Sequence, residues 1–222
     1  MTYLLCPLSS DQMNVLYEWK LNEQNWDLYT CRPVGEMPTE HEFIESLKKE
    51  IAQGIRQVYL IVAEQAISKP LGRITLFDFN RRNQSAEFGY YIPAKLRSQG
   101  IGQTMVRLLL DRVFGQGNDL NKIYATTSSS NETSIRLLER TGFKLDGRLR
   151  EHYWIGGNRY DQLHYSMLRS DWELNERNQV ALLHVSKDNY YKLPGGGIES
   201  MSQFMMHCQE RFMRKLVLIW RS

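Results

Sequence analysis

Residues 96–110, LRSQGIGQTMVRLLL, set Gly100 and Gly102 ahead of an amphipathic run and just behind a β-rich segment. A helix starting there presents unpaired backbone N–H groups and the positive end of its dipole, which together stabilise an anion without any side chain. Glycines remove the Cβ atoms that would hold a phosphate away, and Lys95 and Arg97 add positive charge. The run Arg97-Ser98-Gln99-Gly100-Ile101-Gly102 lacks the Lys-Ser/Thr ending of an ATP-binding loop. Met105 stands where a dinucleotide G-x-G-x-x-G pattern needs its last glycine. Taken alone, the motif is either a phosphate cradle or a tight turn.

The elements that would position it are legible from periodicity and turn chemistry. Two helices are expected first. One lies in SSDQMNVLYEWK, where Ser9 is followed by Gln12 and then by Met13, Leu16 and Tyr17 at helical spacing. The other lies in TEHEFIESLKKEI, opened by a Thr39–Glu42 capping box. The long loop between them carries Trp26 and Tyr29, and loops of that length are often functional. QVYLIVAE, GRITLFDF and SAEFGYYIP read as three strands of an antiparallel meander. Ile101, Met105, Leu108, Leu109 and Val113 then line one helical face. KIYATTS is a further strand, and NETSIRLLERTGF is a short helix with Gly142 at its C′ position and Phe143 packing back on Leu138. KLDGRLREHYWI and YDQLHYSML, joined by GGN, read as a closing hairpin. The order ααβββαβαββ predicts an α/β (α+β) fold: a mixed, mostly antiparallel sheet flanked by helices.

Composition narrows the classes. The 222 residues are 42% hydrophobic and 24% charged, ordinary for a globular protein. A net charge of +3, with bases interleaved among acids, argues against a nucleic-acid partner. Cys6, Cys31 and Cys208 are an odd number without metal-like spacing, which indicates a reducing compartment. MTYLLCPLSS lacks the basic start of a signal peptide, and KLVLIW falls short of the roughly 20 apolar residues that cross a bilayer. A cytoplasmic protein with no membrane association is expected. The five histidines (41, 152, 164, 184 and 207) show no ligand spacing, so no metal is expected.

RSQGIGQ resembles the Q/R-x-x-G-x-G/A coenzyme A signature of the GNAT superfamily of N-acetyltransferases, and NETSIRLLERTGF resembles its second signature. AEFGYYIPAKLRSQGIG and GRLREHYWIGGNRYDQLHYSML look like the RimJ/RimL-like branch, which includes protein N-terminal and small-amine acetyltransferases. The resemblance spans roughly residues 3–169 and implies the GNAT acyl-CoA N-acyltransferase fold for a domain of residues 1–170. It further implies acetyl-CoA as cosubstrate, lying where two neighbouring strands splay apart. The diphosphate would rest on the amides of Gln99, Gly100, Ile101, Gly102, Gln103 and Thr104, with Arg97 beside them. The strand ending at Ile92 would pair with the pantetheine arm. Asn131 matches the family asparagine that contacts that arm, and it is equally a good helix N-cap.

An amine near pKa 10 must lose a proton before it attacks a thioester. Glu87 is the candidate base, because similar enzymes use an acid on the strand leading to the thioester; its alternative is an exposed glutamate paired with a neighbouring arginine. A backbone N–H near Tyr91 or Ile92 would stabilise the oxyanion. Many relatives place the thiolate's acid, a tyrosine, where this sequence has Leu138. Ser134, one helical turn earlier on the same face, is the replacement, or else an ordinary first-turn serine. Tyr29, Tyr153, Trp154 and Tyr160 either line an acceptor slot or belong to the core, and Asp161 matches an acid common in this branch whose role could be structural. The expected reaction transfers acetyl to a primary amine, on a protein N-terminus or a small molecule. A non-catalytic acyl-CoA sensor is the alternative, motivated by Leu138.

Residues 171–222 read as a C-terminal extension. QVALLHVSKDNYYKLPGGGIES resembles the opening of a Nudix hydrolase domain. The helix that should follow with clustered carboxylates instead has Glu210 and Arg211 in inverted order, and Arg214 and Lys215 where acids are wanted. A remnant that packs by its Met and Phe face is expected, and that face could support a homodimer.

Overall fold

The computed structural model describes residues 2–24, 36–115 and 119–174, together with the backbone of 191–192 and 198–199. The chain divides into two units, Met1–Trp172 and Glu173–Ser222. In the first unit the order is β1 (Tyr3–Pro7), α1 (Met13–Asn22), α2 (Glu40–Ala52), β2 (Arg56–Ala63), β3 (Ala66–Asn80), β4 (Ser85–Tyr91), α3 (Ile101–Gly115), β5 (Lys122–Ser128), α4 (Glu132–Arg140), β6 (Lys144–Ile155) and β7 (Asn158–Leu168). The second contains an antiparallel pair, β8 (Tyr191–Lys192) and β9 (Ile198–Glu199). The Met-rich helix expected in the tail and the Trp26–Tyr29 loop segment lie outside the described residues.

The sequence pattern accounts for all of the first unit's elements except β1. Tyr3–Pro7 has no alternation of its own; it becomes a strand by pairing antiparallel with β2, Tyr3 opposite Ala63 and Pro7 opposite Tyr59. The sheet runs β1-β2-β3-β4-β5-β7-β6, and β4–β5 is its parallel pair. Parallel pairing needs a crossover, and α3 supplies it.

The VYLIVA run of β2 is buried on both faces. Val58, Leu60 and Val62 pack with Met13 and Leu16 of α1 and Leu47 of α2. Tyr59 and Ile61 join Ile74, Leu76, Phe88 and Ile123 under Met105, Leu109 and Val113 of α3 and Leu138 of α4. Each fully buried side chain of this kind is worth roughly 1.5–3 kcal/mol, so two such layers outweigh caps worth about 1 kcal/mol.

The caps instead set where helices start and stop. Thr39 and Glu42 form the reciprocal box at α2, with the Thr39 N–H donating to Glu42 Oε2 at 2.9 Å. Ser9 bonds the Gln12 side chain at 2.7 Å, ahead of a 3₁₀ turn rather than across the α1 terminus. At the end of α4, Gly142 takes φ +89°, its N–H reaches Glu139 O at 3.0 Å, and the Phe143 N–H reaches Leu138 O at 3.0 Å. That is a Schellman closure with its hydrophobic contact. Gly156 and Gly157, both at positive φ, turn β6 into β7 as a type I′ hairpin.

Candidate functional site

β4 and β5 are paired only where they begin: Ser85 with Lys122, Ala86 with Ile123 and Glu87 with Tyr124. Beyond Glu87, β4 stays on β3, with Phe88 opposite Leu76 and Tyr91 opposite Arg73. Beyond Tyr124, β5 stays on β7, with Ala125 opposite Tyr165 and Ser128 opposite Gln162. The two strands therefore part, and each turns a row of backbone N–H and C=O groups toward the gap. An extended, amide-bearing ligand can pair with such an edge as an added strand does.

The gap leads to the glycine motif. After Ile92 the chain makes a 3₁₀ turn at Ala94–Leu96, and Ser98 and Gly100 both take positive φ, +63° and +77°. Gly100 O accepts the Thr104 N–H at 3.1 Å, the first bond of α3, so the amides of Ile101, Gly102 and Gln103 stand ahead of the helical ladder. The two glycines differ. Gly100 serves conformation, since its φ disfavours any side chain while nothing lies within 4 Å of a Cβ built there. At Gly102 a Cβ would make only ordinary van der Waals contact with Leu137 of α4, at 3.4 Å, so packing does not require a glycine there.

Arg97 braces the strand exit. Its Nε donates to Ile92 O at 2.9 Å, its guanidinium pairs with the buried carboxylate of Glu23 at the end of α1, and it lies 5.8 Å over the Tyr91 ring. Gln99 Nε2 donates to Lys95 O at 3.2 Å, and the Thr104 hydroxyl to Gly100 O at 3.3 Å.

Alternation divides β4 between two faces. Ala86 and Phe88 face the α3–α4 core, and Tyr90 follows them. The Tyr90 phenol and the Ser134 hydroxyl are 2.7 Å apart, joining β4 to the first turn of α4. The Ser134 N–H donates to Asn131 Oδ1 at 3.1 Å, so Asn131 caps α4. Leu138 is fully buried in the core. Tyr90 was missed in the sequence. The only signal was parity, which put a polar tip on the apolar face of SAEFGYYI.

Glu87, Gly89 and Tyr91 share the other face, where Tyr91 meets Trp19 of α1 at 5.8 Å between ring centres. Glu87, half-buried at the fork, accepts a hydrogen bond from Thr126 Oγ1 at 2.9 Å. Beside it the Tyr124 phenol donates to Asp78 at 2.6 Å. Burial, then Asp78 and Glu87, push that phenol well above the ordinary tyrosine range. Gly72 on β3 is a second residue that sequence reading missed: a Cβ there would fall 2.8 Å from Tyr91 O and 2.5 Å from Ile92 Cδ1.

The expected acceptor residues divide. Tyr153 and Tyr160 are direct cross-strand partners on β6 and β7, Tyr153 being buried. By the parity of β7 they stand on the same face as Glu87 and Thr126. Trp154 points the opposite way, 66% exposed and 5.1 Å from the Arg159 guanidinium. Tyr29 lies outside the described residues. Asp161 organises a bulge: it accepts the Glu151 N–H at 2.7 Å, pairs with Arg148, and lets Glu151 hold φ +51°. The Glu151 amide first, then Arg148, lower its pKa. Among the described residues, no three His, Cys, Asp or Glu side chains cluster as a metal site, and no helix is long and apolar enough to cross a membrane.

A seven-stranded mixed sheet opened between β4 and β5, with a glycine-capped helix at the opening, defines an acyl-CoA-type fold. Residues 3–144 match the model of the acetyltransferase (GNAT) domain, and the chain belongs to that family. It is 33% identical over 119 residues to the SPbeta prophage-derived uncharacterized N-acetyltransferase YokL of Bacillus subtilis, which is 53% of this chain and 66% of that one. It is 31% identical over 111 residues to the spermidine N(1)-acetyltransferase of Vibrio cholerae, 50% of this chain and 64% of that one. The chain spans between 55% and 66% of the length of the first curated relatives it matches. The crystal structure of the Vibrio cholerae spermidine N-acetyltransferase in complex with CoA and spermine superposes with a TM-score of 0.69 at 23% identity, covering 77% of this chain and 98% of that one.

Proposed function

We propose that this protein is an N-acetyltransferase that moves the acetyl group of acetyl-CoA to a primary amine by direct attack. The observation that carries the reading is the parting of β4 from β5 immediately after Glu87, with the free amides of α3 at its mouth. The diphosphate rests on the amides of Gln99 to Gln103; the Thr104 N–H, also expected there, is already bonded to Gly100 O. The pantetheine arm pairs with β4 toward Ile92, with Asn131 both capping α4 and meeting the arm. A backbone N–H near Tyr91 or Ile92 takes the developing oxyanion.

Glu87, held by Thr126, removes the amine proton directly or through one water, an effect worth about 10²–10⁴-fold. As the C–S bond breaks, Ser134 gives its proton to the thiolate sulfur, Tyr90 restores it along their hydrogen bond, and the Tyr90 phenolate regains a proton from solvent. Tyr90 thus brings from β4 the phenol that Leu138 does not provide on α4. The acceptor is a small amine or a protein N-terminus; similarity to spermidine acetyltransferases supports the former. The face bearing Tyr153 and Tyr160 would hold it, and Arg97 keeps the strand exit closed beside it. We propose that the chain belongs to the RimJ/RimL-like branch, works in the cytoplasm, can form a homodimer and carries a Nudix-like remnant at residues 171–222.

The buried Leu138 favours a second reading, an acyl-CoA sensor without turnover. A thiol-release assay across amines and N-terminal peptides separates the two. Turnover that falls in Glu87→Gln while CoA affinity holds supports the enzyme. CoA binding with no turnover on any acceptor supports the sensor.

A further inference from the structure

The face of β3 turned toward α1 carries a charge that acetyl transfer leaves unused. Arg73 lies opposite Leu60 on β2 and Tyr91 on β4, so it shares a face with Tyr91, Gly89 and Glu87. Its electrostatic neighbours are Arg56, Tyr91 and, from α1, Lys20. Lys20 itself lies 5.6 Å over the Phe43 ring of α2. Nearby carboxylates are engaged elsewhere: Glu23 with Arg97, and Glu50 with Arg56 at 2.8 Å. Among the described residues no carboxylate pairs with Arg73. Burial first, then Arg56, pull its guanidinium down to about 10, and burial and Arg73 also lower Lys20. Arg73 and Lys20, with the Arg56–Glu50 pair farther along the same face, form a site for an anion, since a desolvated guanidinium is costly until it is paired. Arg73 is nevertheless only half-buried, so a ligand can reach it.

On the reading of the cleft given above, Tyr91 marks where the thioester lies. Arg73 is one interstrand spacing away, about 5 Å. We propose that Arg73 binds a carboxylate of the acceptor, so that the amine acetylated belongs to a small amino acid rather than to a polycation. The guanidinium fork takes a carboxylate through two hydrogen bonds. The short span to Tyr91 suits an amine and a carboxylate separated by few bonds. A polyamine would bring further positive charge against Arg73, Lys20 and Arg56.

The test uses acceptors that differ only in the carboxylate: phenylalanine against phenethylamine, and lysine against cadaverine, with spermidine and an N-terminal peptide alongside. Thiol release gives kcat/KM for each, and titration calorimetry on the CoA-loaded protein gives binding independent of turnover. We expect the carboxylate-bearing member to win by at least about 10-fold. Arg73→Leu should erase that preference through KM and through the calorimetric affinity, Arg73→Lys should keep part of it, and CoA affinity should stay unchanged in both. Loss of a half-buried charge that no described carboxylate pairs should leave thermal stability equal or higher; if Arg73→Leu nevertheless misfolds, Arg73→Gln serves in its place. Equal use or equal binding within each pair, preference for spermidine or the peptide, or an identical preference in the Arg73 variants overturns the proposal while leaving acetyl transfer intact. Failure of acetyl-CoA itself to bind overturns the underlying reading, and then the calorimetric comparison of each pair on the unloaded protein still decides whether Arg73 holds a carboxylate.

Discussion

Tyr90 on β4 and Ser134 on α4 lie 44 positions apart in sequence and share a 2.7 Å hydrogen bond across the edge of the opened sheet. If the pair protonates the thiolate as a unit, removing either hydroxyl breaks the same relay. Tyr90→Phe and Ser134→Ala should each lower kcat about 10-fold, below the usual span of acid catalysis of about 10²–10⁴-fold, because a thiol already leaves well. The double variant should lose little more, since residues acting together are not additive. Steady-state kinetics with the acetyl-CoA KM unchanged would bear this out; multiplied losses would separate the two roles.

Glu87 and Thr126 make the companion case. Glu87→Gln should reduce kcat about 10²-fold, and Thr126→Val, which removes only the bond orienting the carboxylate, by less. Raising the pH should restore part of the Glu87→Gln loss, because more of the amine is then free without a base. A rate profile from pH 6 to 10 reads this directly.

The two glycines of the motif should respond oppositely. Gly100→Val forces a β-branched residue to φ +77°, a strain of about 1–3 kcal/mol, and should weaken CoA about 10-fold or more in calorimetry. Gly102→Ala meets Leu137 at an ordinary 3.4 Å and gains helix propensity, so thermal stability should hold or rise. Any loss of CoA affinity in that variant reports a phosphate close to the backbone.

Gly72→Ala is the sharper backbone test. Ile92 Cδ1 can swing aside, but the Tyr91 carbonyl is fixed by the sheet. The variant should lose about 1–3 kcal/mol in denaturant unfolding and weaken CoA binding, because the end of β4 must move.

Asp161 supplies a pH signature. Its folded pKa is lowered, so its stabilisation is present above the unfolded value near 3.9 and is lost as pH falls through the folded value. Asp161→Asn should therefore melt below the parent protein at pH 7, and the gap should shrink on acidification below about pH 4. A gap independent of pH would assign the effect to shape rather than charge.

Local chemistry made much of this legible beforehand. The Thr39–Glu42 box, the Gly142 closure and the Gly156–Gly157 hairpin each depend on residues within six positions of one another, and each formed as spelled. β1 did not announce itself, because Tyr3–Pro7 owes its strand geometry to β2, more than fifty residues on. Tyr90, Gly72 and Arg73 stayed hidden for the same reason: Ser134, the Tyr91 carbonyl and Lys20 are neighbours only after the sheet assembles. The arginine expected beside the phosphates illustrates the converse, since its partner Glu23 was invisible in sequence and gives Arg97 structural work.

Most sheets keep their unmet donors and acceptors on an outer rim, whereas the parting of β4 from β5 puts two such borders inside the molecule. A carrier laid between them restitches the fabric, so occupancy should slow amide exchange along 88–91 and 125–128 together. Capture written in main chain is also indifferent to side-chain drift. The face where Arg73 stands can then change its preferred partner over evolutionary time while the grip on the carrier stays the same.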